Sequence, residues 1–103
     1  MFARHVSIRL KSNVLSDYTR TFENDTLPLL RQQKGFKDEI TLSNPGSLDV
    51  IAISLWDSKA NAETYNTNTY PQVLRTFEKL IDGAPKVQTF ESVTSTSHSL
   101  VGA

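Results

Sequence analysis

The spacing of apolar residues changes period several times along this chain, and each change marks an element. Residues 2–10 alternate, with Val6, Ile8 and Leu10 on one side and His5, Ser7 and Arg9 on the other, the pattern of a half-buried strand. Ser12 and Asn13 are capping types, and Asp17 suits the positive end of a helix dipole. They open a helix whose apolar face carries Leu15, Tyr18, Phe22, Leu29 and Leu30 and which stops at Lys34-Gly35. Pro28 lies inside it and predicts a kink, because proline lacks the amide donor and crowds the preceding turn. Phe36 to Leu42 reads as a second strand, with Phe36, Ile40 and Leu42 inward and Lys37, Glu39 and Thr41 outward. The turn signal Asn44-Pro45-Gly46-Ser47 joins it as a hairpin to an apolar strand over residues 48–56.

Asp57 or Ser58 caps a short helix over residues 59–66. A further helix begins at Pro71 and sets Val73, Leu74, Phe77, Leu80 and Ile81 on one stripe, ending at Asp82-Gly83-Ala84-Pro85. Val87 to Val93 is the last strand. The order is βαββαβ, which predicts an α+β fold of ferredoxin-like type: an antiparallel sheet with helices on one face. Residues 2–95 form one domain in this reading, and residues 96–103 a polar tail.

The strand over 48–56 decides more than its own place. Val50-Ile51-Ala52-Ile53-Ser54-Leu55-Trp56 is apolar on both faces except at Ser54, so both faces must be covered. The chain's own helices cover one face, assigned to Ala52, Ser54 and Trp56. Ile51, Ile53 and Leu55 then look toward a second copy, which predicts a homodimer through the helix-free sheet face. Burying roughly 600–1,000 Å² per subunit at about 25 cal/mol per Å² gives on the order of 10 kcal/mol gross, much of it offset by association costs.

Composition narrows the possible functions. The 103 residues carry 11 Lys+Arg and 11 Asp+Glu, and that zero net charge argues against nucleic acid or an anionic membrane as partner. No apolar stretch reaches the length of a bilayer span, and no secretory h-region opens the chain, so a cytoplasmic protein is expected. There is no cysteine, which excludes disulfides, thiolate metal sites and cysteine nucleophiles. The two histidines, His5 and His98, lack metal-ligand spacing, so neither a metal nor any other cofactor is expected.

The candidate site is built around Trp56, the only tryptophan. Small Ala52 and Ser54 share its strand face and leave space for a cavity roofed by Phe22, Tyr65 or Phe77. Trp56 can equally be a packing residue that plugs the end of the strand. Tyr65 and Tyr70 could donate hydroxyl hydrogen bonds to a ligand, or belong to an irregular connection that satisfies its own backbone. Glu23, Asp25, Asp38 and Glu39 fall on solvated faces by spacing, and Arg4, Arg9, Arg31 and Arg75 are scattered rather than clustered, although any one of them could bind an anionic substrate. No phosphate loop or nucleophile elbow is present.

The segment Thr26–Phe36 with its Gly35-Phe36 ending, joined with Leu55-Trp56-Asp57-Ser58 and Ala62-x-x-Tyr65, resembles the antibiotic biosynthesis monooxygenase-like family. The resemblance covers roughly residues 2–95. It implies two ferredoxin-like subunits packed sheet to sheet as a dimeric α/β barrel, each with a pocket between sheet and helices. Members include cofactor-independent monooxygenases of aromatic quinol-type substrates and haem-degrading enzymes. In the former, an amide residue accompanies the tryptophan on its strand; here those positions are Ser54 and Ala52. Haem degradation is disfavoured, since residues 58–82 contain no His. The resemblance therefore implies monooxygenase chemistry on a hydrophobic oxygenated small molecule, with Trp56 and Tyr65 as catalytic candidates and Phe22, Ala52, Ser54 and Phe77 as pocket lining. The alternative is a non-catalytic ligand-binding or stress-related barrel.

Overall fold

The computed structural model describes residues 1–94; the expected tail over 96–103 and His98 lie outside them. The elements follow the order β1 (Phe2–Arg9), α1 (Leu15–Thr21), a π-helical turn (Phe22–Thr26), α2 (Leu27–Arg31), β2 (Phe36–Ser43), β3 (Asp49–Trp56), α3 (Lys59–Asn68), α4 (Tyr70–Phe77) and β4 (Lys86–Glu91). The four strands form one antiparallel sheet in the order β2-β3-β1-β4, so β1 and β3 are central. This is the expected split βαβ arrangement, and the helices pack on one sheet face. Among the described residues no helix is long and apolar enough to cross a membrane.

The first helix departs from the expectation at both its start and its middle. Val14, not Ser12 or Asn13, occupies the N-cap position and makes no side-chain cap; Asn13 instead takes a left-handed backbone, φ 60°, at the preceding turn. In place of a kink at Pro28, the helix widens just upstream. Leu27 N–H bonds to the carbonyl of Phe22, five residues back, and Pro28 then sits in the first turn of α2. The extra residue in this turn resets the hydrogen-bond ladder so that the missing proline donor falls where a helix start has no use for one.

Strand β2 corrects the expected facing of its residues. Phe36 pairs with Trp56, but Asp38 pairs with Leu55, so two steps along β2 match one step along β3. Lys37 is the extra residue of a bulge, and beyond it the alternation is inverted. Glu39, Thr41 and Ser43 therefore align with Ser54, Ala52 and Val50 on the helix side. Ile40 and Leu42 align with Ile53 and Ile51 on the helix-free side, where they are 52% and 47% exposed.

A joint ties the start of β2 to the end of β3. Gly35 has φ +83°, and a Cβ there would run into the side chains of Asp57 and Asn61. Asp57 N–H donates to the Gly35 carbonyl at 2.8 Å, and Asn61 Nδ2 donates to Asp57 Oδ1 at 2.8 Å. Ser58 caps α3 by accepting from Asn61 N–H. The Gly35-Phe36 and Trp56-Asp57-Ser58 segments thus have a structural cause: only glycine permits both the backbone conformation and the close approach.

The core lies between sheet and helices. Trp56, Tyr18 and Val50 are its largest fully buried side chains. Tyr18, Phe22 and Phe77 bring α1, the π turn and α4 together, with Tyr18 and Phe77 ring centroids 4.8 Å apart.

Candidate functional site

Between the sheet and the helical layer is a cleft of about 50 Å³. Its floor is Val6 and Ile8 of β1 with Ala52 and Ser54 of β3, and its roof is Tyr18, Phe22, Val73 and Phe77. Small Ala52 and Ser54 leave the space, as expected. An outer groove of about 290 Å³ runs between α1 and β2 and shares Tyr18, Phe22 and Glu39 with the cleft. Leu15, expected on the buried helix face, is 47% exposed and lines this groove.

Of the residues singled out from sequence, Phe22, Ala52, Ser54, Tyr65 and Phe77 meet in the cleft wall. Trp56 does not. It is fully buried behind the wall, its indole N–H donating to Ser54 Oγ at 2.9 Å. Its ring packs against Tyr65 at 5.0 Å and edge-on against Phe36 at 5.6 Å. In this geometry Trp56 holds two wall residues, Ser54 and Tyr65, rather than reaching a ligand itself.

Three polar features complete the wall; the sequence marked Tyr70 as a candidate donor, set Arg4 among four scattered arginines, put Glu39 on a solvated face and left Thr26 without a role. The first is Arg4. It lies on the same strand face as Phe2 and Val6, and at 3% exposure it is among the most buried charged groups. Its guanidinium carbon sits over the rings of Tyr70 and Tyr65, at 4.4 and 5.0 Å, and its Nη2 donates to Asn66 Oδ1 at 2.9 Å. Among the described residues the ion pairs are Arg9–Asp49, Arg20–Asp17 and Lys59–Glu63, all exposed; none involves Arg4. Burying a guanidinium costs several kcal/mol. Two ring faces at about 1–2 kcal/mol each and one charge-assisted hydrogen bond at about 1.5–3 kcal/mol offset much of that without neutralising the charge. Burial lowers the Arg4 pKa, opposed by the neighbouring tyrosines.

The second feature is a pair of hydroxyls. Thr26 Oγ1 and Tyr70 Oη both belong to cleft-lining residues, are buried, and have no hydrogen-bond partner. Thr26 lies at the end of the π turn. Thr19, Thr64 and Thr76 each donate to the carbonyl four residues back, the usual helical arrangement. The carbonyl four residues before Thr26 is that of Phe22, which the π turn gives to Leu27 N–H.

The third is Glu39, brought to the cleft by the β2 bulge. Burial raises its pKa, with Asp38 adding to the effect and a 2.7 Å hydrogen bond from Thr41 opposing it. Glu39 in turn contributes to raising the pKa values of Tyr18 and Tyr65, for both of which burial is the larger cause. The Tyr65 hydroxyl, pushed up to about 12 despite the charge of Arg4, is a proton donor throughout the neutral range. Alternation and spacing in β1 could have found Arg4; nothing in the sequence marks the bulge or the π turn that deliver Glu39 and Thr26. Among the described residues no group of three or more His, Cys, Asp and Glu is placed to hold a metal ion.

No protein-family model and no curated protein matches the sequence. Solved structures do match the fold. A monooxygenase from Streptomyces coelicolor, solved in complex with the ligand nanaomycin D, superposes with a TM-score of 0.79 at 12% identity, over 93% of this chain and 90% of that one. SnoaB, a cofactor-independent oxygenase from Streptomyces nogalater, gives 0.77 at 10% identity, over 92% and 95% of the two chains. A protein of unknown function from Nitrosomonas europaea gives 0.77 at 14% identity, over 93% and 92%. At these identities the likeness is one of fold. The ferredoxin-like architecture implied by the Gly-Phe and Trp-Asp-Ser segments is the fold this chain has, and antibiotic biosynthesis monooxygenase structures share it.

Two outcomes follow from this geometry. Trp56→Phe loses the bond to Ser54 and part of the packing, lowering stability by about 1–3 kcal/mol in a melting or denaturant titration, while the affinity of a cleft ligand, which Trp56 reaches only through Ser54 and Tyr65, falls by less. Glu39 has a raised pKa in the folded state, so it binds its proton more tightly there. Its contribution to stability is therefore best at low pH and is lost as pH rises from the unfolded value, about 4.3, through the folded one. Glu39→Gln, which cannot ionise, raises the melting temperature at pH 7, and the gain closes below about pH 4.

Proposed function

We propose, from a fold shared with antibiotic biosynthesis monooxygenase structures, that this protein binds a hydrophobic oxygenated small molecule in the cleft and oxygenates it without metal or flavin. The observation that carries this reading is an apolar cleft lined in part by Thr26 and Tyr70, whose buried hydroxyls have no hydrogen-bond partner. Apolar walls with a few convergent polar groups are what a small-molecule site requires. A substrate bearing an activated methylene supplies its own electrons: it ionises to a carbanion, passes an electron to O2, and the two radicals combine. One oxygen atom becomes the product carbonyl and the other leaves as water with the two methylene hydrogens. The protein contributes a dry enclosure and donors for the developing anion, with Tyr65, backed by Trp56, as the leading candidate donor.

A second reading, binding without turnover, is favoured by one observation. The strand position where the resemblance implies a polar amide is occupied by Ser54, whose oxygen is already taken by the Trp56 indole. Oxygen uptake with anthrone, in buffer free of flavin and metal, separates the two readings. Turnover predicts uptake of one O2 per anthrone above the rate without protein, lost in Tyr65→Phe. Saturable anthrone binding with no excess uptake leaves a binding barrel.

The same proposal includes a homodimer through the helix-free sheet face. Ile40, Leu42 and Phe90 are exposed there beside half-buried Ile51, Ile53 and Leu55. Such a contiguous apolar patch is unusual on a free monomer. His5 lies on this face too, half-buried, packed edge-on against Phe90 with its Nδ1 unpartnered. Light scattering at micromolar concentration is expected to give twice the chain mass, and Ile53→Lys to give the single-chain mass; a monomeric parent protein would overturn the dimer.

A further inference from the structure

We propose that the natural ligand of the cleft carries a carboxylate, and that Arg4 receives it, with Thr26 and Tyr70 donating to its oxygens. This rests on the cleft reading above and names the chemical group which that reading leaves open. Arg4 is a buried cation in the cleft wall, and its Nη2 hydrogen bond goes to a neutral amide, Asn66 Oδ1. The guanidinium carbon lies over the rings of Tyr65 and Tyr70, and of its five N–H donors the bond to Asn66 uses one, which leaves others for an acceptor. A planar fork of this kind matches a carboxylate in two parallel hydrogen bonds. Thr26, 2% exposed, and Tyr70 add hydroxyl donors with no protein partner.

Of the other titratable groups of the wall, the two tyrosines are compatible with an anion and the Glu39 carboxylate opposes one. Tyr18 and Tyr65 stay protonated at neutral pH, and Glu39 forms no ion pair with Arg4. A neutral, purely apolar ligand would leave the guanidinium and both hydroxyls unanswered. The cleft, at about 50 Å³, has room for a carboxylate-sized end, and the outer groove of about 290 Å³ beyond Tyr18, Phe22 and Glu39 takes the ring or chain that bears it.

Benzoate and nitrobenzene test this directly, because they have the same shape and differ in charge. Calorimetry at pH 7 on the full chain is expected to give benzoate at least about tenfold tighter than nitrobenzene. Arg4→Gln brings the two to parity. Thr26→Val, nearly isosteric, weakens benzoate and leaves nitrobenzene unchanged; because it removes an unpartnered buried hydroxyl, it also raises the melting temperature, so any loss of affinity is not a loss of fold. Thr26→Val carries the test if Arg4→Gln does not fold. Equal affinity of the parent protein for the two compounds overturns the carboxylate and leaves the cleft reading intact. A benzoate preference that survives both substitutions also overturns it, since the anion then binds elsewhere. Binding of neither compound overturns the carboxylate and the cleft reading together.

Discussion

The bulge at Lys37 is the constraint on which the rest of the molecule depends. A strand has a side-chain period of two, so one extra residue inverts every position beyond it. Before the bulge, Phe36 packs against Trp56 on the helix side. After it, Glu39 and Thr41 take the helix side, and Ile40 and Leu42 join Ile51 and Ile53 on the other. A regular β2 would have placed two aliphatic side chains in the cleft and a carboxylate on the apolar face. The same residue therefore sets the polarity of the site and the apolar character of the surface opposite.

A second local irregularity works in the same direction. The π turn at Phe22–Thr26 accommodates Pro28 and ends on Thr26, whose buried hydroxyl makes no intrahelical hydrogen bond. A donor of the cleft wall thus sits at the backbone adjustment for a proline. Opposite it, Arg4 is held by two tyrosine rings and Asn66, contributed by α3 and α4. The polar groups of the wall come from both central and edge strands and three helical segments. The closed joint at Gly35, Asp57 and Asn61 fixes the relation between β2, β3 and α3 on which their meeting depends.

Trp56 illustrates how a correct location can carry a different role. It stands on the helix side of β3, next to small residues that border a cavity, as its position in the sequence implies. Ser54 accepts its indole N–H and Tyr65 covers its ring, so no polar atom of Trp56 remains for a ligand. Its effect on the site passes through those two neighbours.

The sequence by itself determined the order βαββαβ, the antiparallel sheet with helices on one face, the two facings of β3, a helix cap at Asp57 or Ser58 and Pro71 in the first turn of the last helix. Each of these follows from periodicity or from a residue type with a narrow conformational preference, which are local properties. It also brought Phe22, Ala52, Ser54, Tyr65 and Phe77 to one place, because small residues on an inward face leave room and large ones on facing helices border it. Only the tertiary structure decided the rest. The bulge arises from pairing β2 against β3 across the Gly35 joint, and no pattern within residues 36–43 reveals it. Arg4 reads as one of several scattered arginines until the helices close over its strand face and supply Tyr65, Tyr70 and Asn66, more than 60 positions away in the chain. Thr26 reads as an ordinary helical residue until the hydrogen-bond ladder around Pro28 is seen. Groups that need partners from distant segments acquire their chemistry only when those segments are packed together.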